Sequence, residues 1–289
     1  MASALEIRRR IRSVHNTRQI TRAMQLVAAS RMRRAQEAVR AARPYADCIT
    51  AMLQRLSEVS DPEQLPPLLR PRPIEKTAYV VMTTNRGLCG ALNSNTARLA
   101  ADRLSVARSY AEVSLIIVGK KGHAALRGLA QLKASFVDIA DRPSIEDIAP
   151  VGRLLVEDFE QGTYDEVQLV YPRFVNTLMQ EATAIRLLPV AVPEAAAARS
   201  VRVQFLYEPD PVTVLGAMIP RFIETVLYRV MLELAASEQS ARMVAMRNAT
   251  DNATEVIRTL QLAYNKERQA GITREILDIA AGANALAEA

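Results

Sequence analysis

Ile7-Arg8-Arg9-Arg10-Ile11-Arg12-Ser13-Val14 opens a stretch, from about Ser3 to Leu56, that holds no glycine and only Pro44 as a proline. Apolar residues return there at spacings of three and four: Ile7, Ile11 and Val14, then Ile20, Met24 and Val27, then Ile49, Met52, Leu53 and Leu56. That periodicity predicts one long helix packed along one side. The three stripes share no single heptad frame, so the seam is expected to wander around the helix. The pattern resumes from Val212 to Leu286, with Ile219, Ile223, Val226 and Val230, and later Ile272, Ile276, Ile279, Ala283 and Leu286. Pro220 should kink its first turns or mark where the straight part begins. From Arg221 onward this helix would be roughly 100 Å long at the usual rise per residue, too long for a small domain to cover. Two long amphipathic segments at the ends of one chain can bury both stripes as an antiparallel pair. The first is shorter, so the last turns of the second should project beyond it and need cover from other subunits.

Between the helices, Asp61 to Pro73 carries Pro62, Pro66, Pro67, Pro71 and Pro73 and reads as a linker, because each ring fixes φ and removes a donor. Strand and helix then alternate. Thr77 to Thr83 and Val113 to Val118 are buried apolar runs, Ala91 to Tyr110 is helical, and Gly119 to Gly122 turns into another helix. A third strand near Ser135 to Ile139, a helix from Ser144 to Gln161 with Ser144 as cap, and runs at Asp165 to Tyr171 and Glu181 to Leu188 complete the insertion. Pro209 and Pro211 close it. The expected fold class is α/β plus a long antiparallel α-helical coiled coil, with a central Rossmann-like α/β domain inserted between paired N- and C-terminal helices. The expected division is a coiled-coil helix at 1–57, a Pro-rich linker at 58–73, the α/β domain at 74–206 and a second coiled-coil helix at 207–289.

With 289 residues, 49% hydrophobic and 24% charged, the chain can bury a real core and does not read as disordered. No stretch approaches the roughly 20 uncharged apolar residues that cross a bilayer, and charge begins at Glu6 without an apolar secretory core, so a soluble, unexported chain is expected. Cys48 and Cys89 lack a CxxC partner and are expected as packing residues. His15 and His123 stand alone in their segments, so no metal or cofactor site is indicated. Gly87-Leu88-Cys89-Gly90 and Gly119-Lys120-Lys121-Gly122 each follow a strand but lack GxGxxG or Walker spacing, and read as turn glycines rather than a phosphate loop. No nucleophile and base can be paired, which makes an independent enzyme the weakest reading. Arg8, Arg9, Arg10, Arg12, Arg18, Arg22, Arg31, Arg33, Arg34, Arg40 and Arg43 face only Glu6 and Glu37. Such a cationic helix is a solvated face, a surface for acidic protein partners, or a nucleic-acid binder.

Both ends of the chain carry motifs that narrow this choice. Ile272-Thr273-Arg274-Glu275-Ile276-Leu277-Asp278-Ile279-Ala280-Ala281-Gly282-Ala283 resembles the C-terminal signature of the gamma subunit of F-type ATP synthases. Ile7 to Val14, Asn16-Thr17-Arg18-Gln19-Ile20-Thr21-Arg22-Ala23-Met24 and Val27-Ala28-Ala29-Ser30 are similar to that family's first helix. Arg86-Gly87-Leu88-Cys89-Gly90 with Asn93, and Ala236-Ser237-Glu238-Gln239 with Arg242-Met243-Val244-Ala245-Met246 and Ala249-Thr250-Asp251-Asn252, resemble its central loop and last helix. Asn85 and Ala91 depart from the aspartate and glycine usual beside that loop, and nothing resembles the cysteine insertion of the chloroplast form.

The resemblance implies the central rotor shaft of a bacterial enzyme, without cofactor or catalytic site of its own. It would couple proton- or sodium-driven rotation of the membrane c-ring to ATP synthesis or hydrolysis in the hexamer of alpha and beta subunits. By position, Arg8, Arg9, Met24, Arg242, Gln269, Thr273, Glu275, Ile276 and Ile279 would contact that hexamer, and Tyr207 with Glu208 the c-ring and epsilon subunit. One copy per complex, peripheral on the cytoplasmic face of the plasma membrane and free of nucleic acid, is what the family implies. A basic coiled-coil nucleic-acid-binding protein is the alternative. Asn248, Asp251 and Asn252 are expected in the helix seam, either specifying register or keeping a bearing surface imperfect.

Overall fold

The computed structural model describes residues 4–59, 65–137, 139–140, 142–191 and 207–287. Its helices are α1 (Ala4–Val59), α2 (Leu92–Ala107), α3 (Lys120–Leu126), α4 (Ile145–Glu160) and α5 (Pro211–Ala287). Its strands are β1 (Lys76–Met82), β2 (Glu112–Val118), β3 (Gln131–Phe136), β4 (Glu166–Phe174) and β5 (Gln180–Leu188), and a 3-10 turn spans Pro67–Leu69. Long helices at both ends thus bracket an α/β sheet, as the periodicity predicts. The chain forms two compact units, Met1–Ala28 with Met243–Ala289, and Ala29–Arg242, so α1 and α5 contribute to both.

In the second unit the strands lie in the order β3-β2-β1-β4-β5; the first four are parallel and β5 runs antiparallel to β4. Helices cover both faces, which is why β1 and β2 read as near-continuous apolar runs. On one face Tyr79, Val81, Leu115 and Ile117 pack with Ala100 and Leu104 of α2 and Leu126 of α3. On the other, Val80, Met82, Ile116 and Leu169 meet Val151, Leu155 and Phe159 of α4, Leu53 and Leu56 of α1, and Leu215, Ile219, Ile223 and Leu227 of α5. Leu68 and Leu69 of the 3-10 turn join this core, and the Val190 N–H donates to the Leu68 carbonyl at 2.9 Å.

β3 lies earlier than expected, at Gln131–Phe136 rather than Ser135 to Ile139. It is an edge strand whose half-buried Leu132, Ala134 and Phe136 alternate with exposed Gln131 and Lys133, so its signal is alternation rather than a run. Ser144 caps α4 as predicted: its Oγ accepts from the Asp147 N–H at 3.4 Å while its own N–H donates to Asp147 at 2.8 Å, a capping box. Pro211 starts α5, where the missing donor costs nothing, and Asp210 accepts from the Val212 and Thr213 N–H groups at 3.0 and 2.9 Å. The helix continues through Pro220.

Burial along α1 corrects the expectation of a wandering seam. In the first unit Ile7, Ile11, Val14, Arg18, Thr21, Gln25 and Ala28 are buried or half-buried; in the second, Met32, Ala35, Val39, Ala42, Ala46, Ile49, Leu53 and Leu56 are. A single alternation of fours and threes runs through all of them, the mark of one heptad frame. Ile20 and Val27 lie outside it and are exposed, and Met24 is half-buried. Ile7, Ile11, Val14, Ile49, Leu53 and Leu56 face inward as expected, but Met52 is exposed, and in the middle of α1 hydrophobicity selects the wrong positions because the seam there is built from small and polar side chains.

Within the first unit, α5 answers with Met243, Met246, Thr250, Ala253, Ile257, Leu260 and Tyr264 at the same alternation. The hydroxyls of Thr21 and Thr250 lie 2.8 Å apart and buried. In an antiparallel pair this register carries Ile7 opposite Tyr264, Val14 opposite Ile257 and Ala28 opposite Met243. Asn248, Asp251 and Asn252, expected in the seam, are exposed instead, Asp251 lying 4.0 Å from Arg247. The buried polar contact that marks this register is instead the threonine pair, whose hydroxyls also donate within their own helices, Thr21 to the Arg18 carbonyl at 3.0 Å and Thr250 to the Met246 carbonyl at 2.8 Å. Cys89 is buried, but Cys48, also expected as a packing residue, is exposed.

Leu53→Ala is expected to cost about 2–5 kcal/mol and Ile20→Ala less than about 0.5 kcal/mol in urea denaturation of the full chain. Equal losses would return Ile20 to the seam.

Candidate partner-contact site

The carboxyl ends of parallel strands are where open α/β sheets receive ligands. Here that edge receives α5: Met231, Leu234, Ala235 and Glu238 close over Thr83, Thr84, Asn85 and Gly119, leaving a cavity of about 40 Å³, space for about one water molecule. The two glycine-containing loops interlock beneath it. Gly119 has φ 101°, and a Cβ there would stand 2.2 Å from the Thr83 carbonyl oxygen, so no larger residue fits. The Gly122 N–H donates to Thr83 Oγ1 at 2.7 Å, and the Lys120 N–H to Asn85 Oδ1 at 3.0 Å. Asn85 Nδ2 donates to the Ile139 carbonyl at 2.8 Å. Asn93 accepts from the Thr84 N–H at 3.2 Å and its Nδ2 donates to Thr84 Oγ1 at 2.8 Å.

These bonds brace Arg86–Gly90, whose Leu88 has φ 62° and is 63% exposed. Arg242 completes the bracing from α5. Its Nη2 donates to the Gly87 carbonyl at 3.0 Å and to Glu238 Oε1 at 2.6 Å, and the residue is only 8% exposed. Ser237 and Ser240 secure the other side: their hydroxyls donate to the carbonyls of Pro172, at 3.0 Å, and Thr177, at 2.7 Å, at the end of β4 and in the turn before β5. Burial, reinforced by the Glu238 carboxylate, pushes the Cys89 thiol pKa up and so keeps it protonated. Sequence reasoning quoted Ser237 and Glu238 only as motif residues and missed Ser240. The signal available was a run of polar residues on an otherwise apolar helix.

The remaining candidate residues fall on the two units separately. In the first, Arg8 and Arg9 are exposed on α1 and Met24 is half-buried, while Gln269, Thr273, Glu275, Ile276 and Ile279 are exposed on α5. The Thr273 hydroxyl turns back to the Gln269 carbonyl at 3.0 Å. Every residue from Ile272 to Ala281 is exposed, including apolar Ile276 at 61% and Ile279 at 72%. In the second, Tyr207 packs half-buried against the core, and exposed Glu208 borders a mostly apolar cleft of about 450 Å³ with Cys48, Met52 and Met218. Among the described residues no cluster of His, Cys, Asp and Glu could hold a metal ion, and no helix is long and apolar enough to cross a membrane.

Glu233 on α5 lies 3.7 Å from Arg229, close to Arg43, Arg173 and Tyr171. Burial outweighs these cations and raises its carboxyl pKa above the ordinary 4.5. The folded chain therefore holds this proton to higher pH than the unfolded chain, and its stabilising effect is lost as pH rises through the folded value. Glu233→Gln is expected to gain stability relative to the unmodified chain between pH 4.5 and pH 8, tracked by urea denaturation; a constant difference would contradict this. Arg242→Ala, which removes the donor to the Gly87 carbonyl and the cation beside Glu238, is expected to cost about 3 kcal/mol and to speed amide exchange at Gly87–Gly90. Unchanged exchange there would show that the loop does not depend on Arg242.

A family profile described as ATP synthase matches residues 3–286. The chain is 46% identical over 289 residues to the ATP synthase gamma chain of Acidithiobacillus ferrooxidans, with 99% of this chain and 100% of that one covered. It is 47% identical over 291 residues to that of Roseiflexus castenholzii, covering 100% of both. Among solved structures it is similar to a chain of the Tetrahymena thermophila mitochondrial ATP synthase central stalk and c-ring, with TM-score 0.61, 27% identity, and 80% of this chain and 99% of that chain covered. It shares its fold with a chain of the Euglena gracilis mitochondrial ATP synthase OSCP/F1/c-ring assembly, with TM-score 0.65, 19% identity, and 98% and 94% covered. Relatives of this identity over nearly the full length, with the same fold, decide the matter: the chain belongs to the ATP synthase gamma chain family.

Proposed function

We propose that this chain is the central rotor shaft subunit of an F-type ATP synthase, coupling ion-driven rotation of the membrane c-ring to ATP synthesis or hydrolysis in the alpha–beta hexamer. The observation that carries the reading is the end of α5, where Ile272, Ile276 and Ile279 stand exposed beyond the register in which α1 covers the helix. Apolar residues in such a place call for cover by other subunits. Arg8, Arg9 and Met24 on α1, with Gln269, Thr273 and Glu275 on α5, make up the rest of the hexamer-facing surface. Arg242, turned inward, serves that surface by holding the Gly87 loop and its exposed Leu88 in place. Tyr207 and Glu208, with the apolar cleft beside Cys48 and Met52, form the foot toward the c-ring and epsilon subunit.

The mechanism follows from asymmetry. A two-helix pair presents different side chains around its circumference, so each site of a surrounding hexamer meets a different face. Turning the pair shifts each site's conformational equilibrium in sequence, because partner contacts differ from state to state. In this reading nucleotides and catalytic groups belong to the hexamer, and the α/β domain at 74–206 is a mount for the coiled-coil segments at 1–57 and 207–289. One copy serves each complex, peripheral at the cytoplasmic face of the bacterial plasma membrane. Family membership favours this over the nucleic-acid reading of the arginine-rich helix.

An affinity-tagged chain, purified from its host at moderate salt and analysed by mass spectrometry and ATPase assay, is expected to bring down alpha, beta and epsilon subunits with activity. A lone chain, or one bound to nucleic acid, would overturn the proposal. Ile276→Asp is expected to impair assembly or coupling while leaving thermal unfolding of the α/β region unchanged. Fully coupled ATP-driven proton pumping by that variant would remove the bearing role.

A further inference from the structure

Another cavity lies within the Ala29–Arg242 unit and has no part in the reading above. Its volume is about 420 Å³, and its walls come from α1, from α5 and from Arg142 and Pro143 just before α4. That size is within the range of small-molecule sites. The floor is apolar, formed by Ala35, Ala38, Leu232 and Ala235, while Arg31, Arg34 and Arg142 also line the cavity and no described lining residue is acidic. Tyr228 and Gln239 add two neutral polar groups.

Gln239 is the informative member. It is only 8% exposed, yet its side-chain amide has no hydrogen-bond partner among the described residues. The amide is not sealed from solvent, and the residue lines this cavity, so a ligand there can bond it without displacing a protein partner. Arg142 likewise makes no ion pair among the described residues, and Arg34 has only a long 3.5 Å contact to the Ser30 hydroxyl. Positive charge, an amide open to bonding and an apolar floor occur together, and one kind of ligand suits all three.

We propose that this cavity binds a small amphipathic anion, a carboxylate or phosphate headgroup on an apolar body. The headgroup meets the arginines and accepts from the Gln239 amide, and the body lies on Ala35, Ala38, Leu232 and Ala235. Charge-assisted bonds from guanidinium to such oxyanions supply the affinity and the geometry, and the apolar body adds burial that a bare anion lacks. Because α1 and α5 both line the cavity, an occupant ties the two helices together and stabilises the folded unit by mass action.

The test is isothermal titration of the purified full chain with dodecanoate, dodecyl phosphate, dodecanol and inorganic phosphate, below the concentrations at which the amphiphiles form micelles. Saturable one-to-one binding of dodecanoate or dodecyl phosphate is expected, and the tighter of the two identifies the headgroup. Dodecanol and inorganic phosphate should bind at least about tenfold more weakly, the loss of one charge-assisted bond or of the buried chain. Gln239→Leu and Arg142→Glu should each weaken the preferred anion by about tenfold or more. Arg142 is exposed at the rim, so its variant keeps the test valid if the buried substitution disturbs folding. No saturable binding, dodecanol binding as tightly as the anions, inorganic phosphate binding as tightly as the amphiphiles, or an Arg142→Glu variant with unchanged affinity would each overturn the proposal.

Discussion

Packing of α5 against the sheet is the contact from which the rest of the second unit follows. Leu215, Ile219, Ile223, Leu227, Val230 and Leu234 are buried together with Val80, Met82, Ile116 and Leu169, and each large apolar side chain so removed from water contributes about 1.5–3 kcal/mol. A β-sheet with helices on one face only would expose its other face. Here the chain covers that second face with α4 and with its own two terminal helices, so neither long helix is an appendage on a finished domain. The α/β fold and the helix pair share one core, and destabilising either within this unit destabilises the other.

The same packing decides what the strand ends do. A Rossmann-like sheet offers a crevice at its carboxyl edge, and this one fills it with α5 residues Met231, Leu234, Ala235 and Glu238. Glycines that could have cradled a phosphate instead let two loops approach each other, with Gly119 pressed against Thr83. Arg242, Ser237 and Ser240 then bond to loop and hairpin carbonyls. Such bonds cross from helix to sheet edge and resist rotation of the helix on its mount, which apolar packing alone resists less well because it is not directional.

In the first unit the emphasis is reversed. The seam is narrow, small residues dominate its centre, and one buried hydroxyl pair, Thr21 with Thr250, marks the register. Beyond the residues that α1 covers, α5 continues with every described side chain from Ile272 to Ala281 exposed. Stability there comes from intrahelical bonds and, in the proposed assembly, from surrounding subunits.

Read alone, the residues reveal much of this. Helical periodicity at both ends, prolines between them and alternating strands and helices disclose the fold class, because backbone preference and amphipathic spacing are local properties. The motifs at Ile7–Ser30 and Ile272–Ala283 disclose the family. The Ser144 cap was legible for the same local reason. What sequence could not disclose depends on what lies opposite. Ile20 and Val27 are as apolar as Ile7, yet only the partner helix decides that Thr21 and Ala28 face inward. Arg242 reads as one more surface cation until Gly87 and Glu238, distant and near in sequence, are brought to its guanidinium. β3 sits at Gln131–Phe136 because β2 pairs it there, not because its own residues demand it. Composition and spacing determined which elements form, and motif resemblance pointed to the family; tertiary contact alone determined which faces are buried, since burial belongs to pairs of surfaces and a single sequence records only one member at a time.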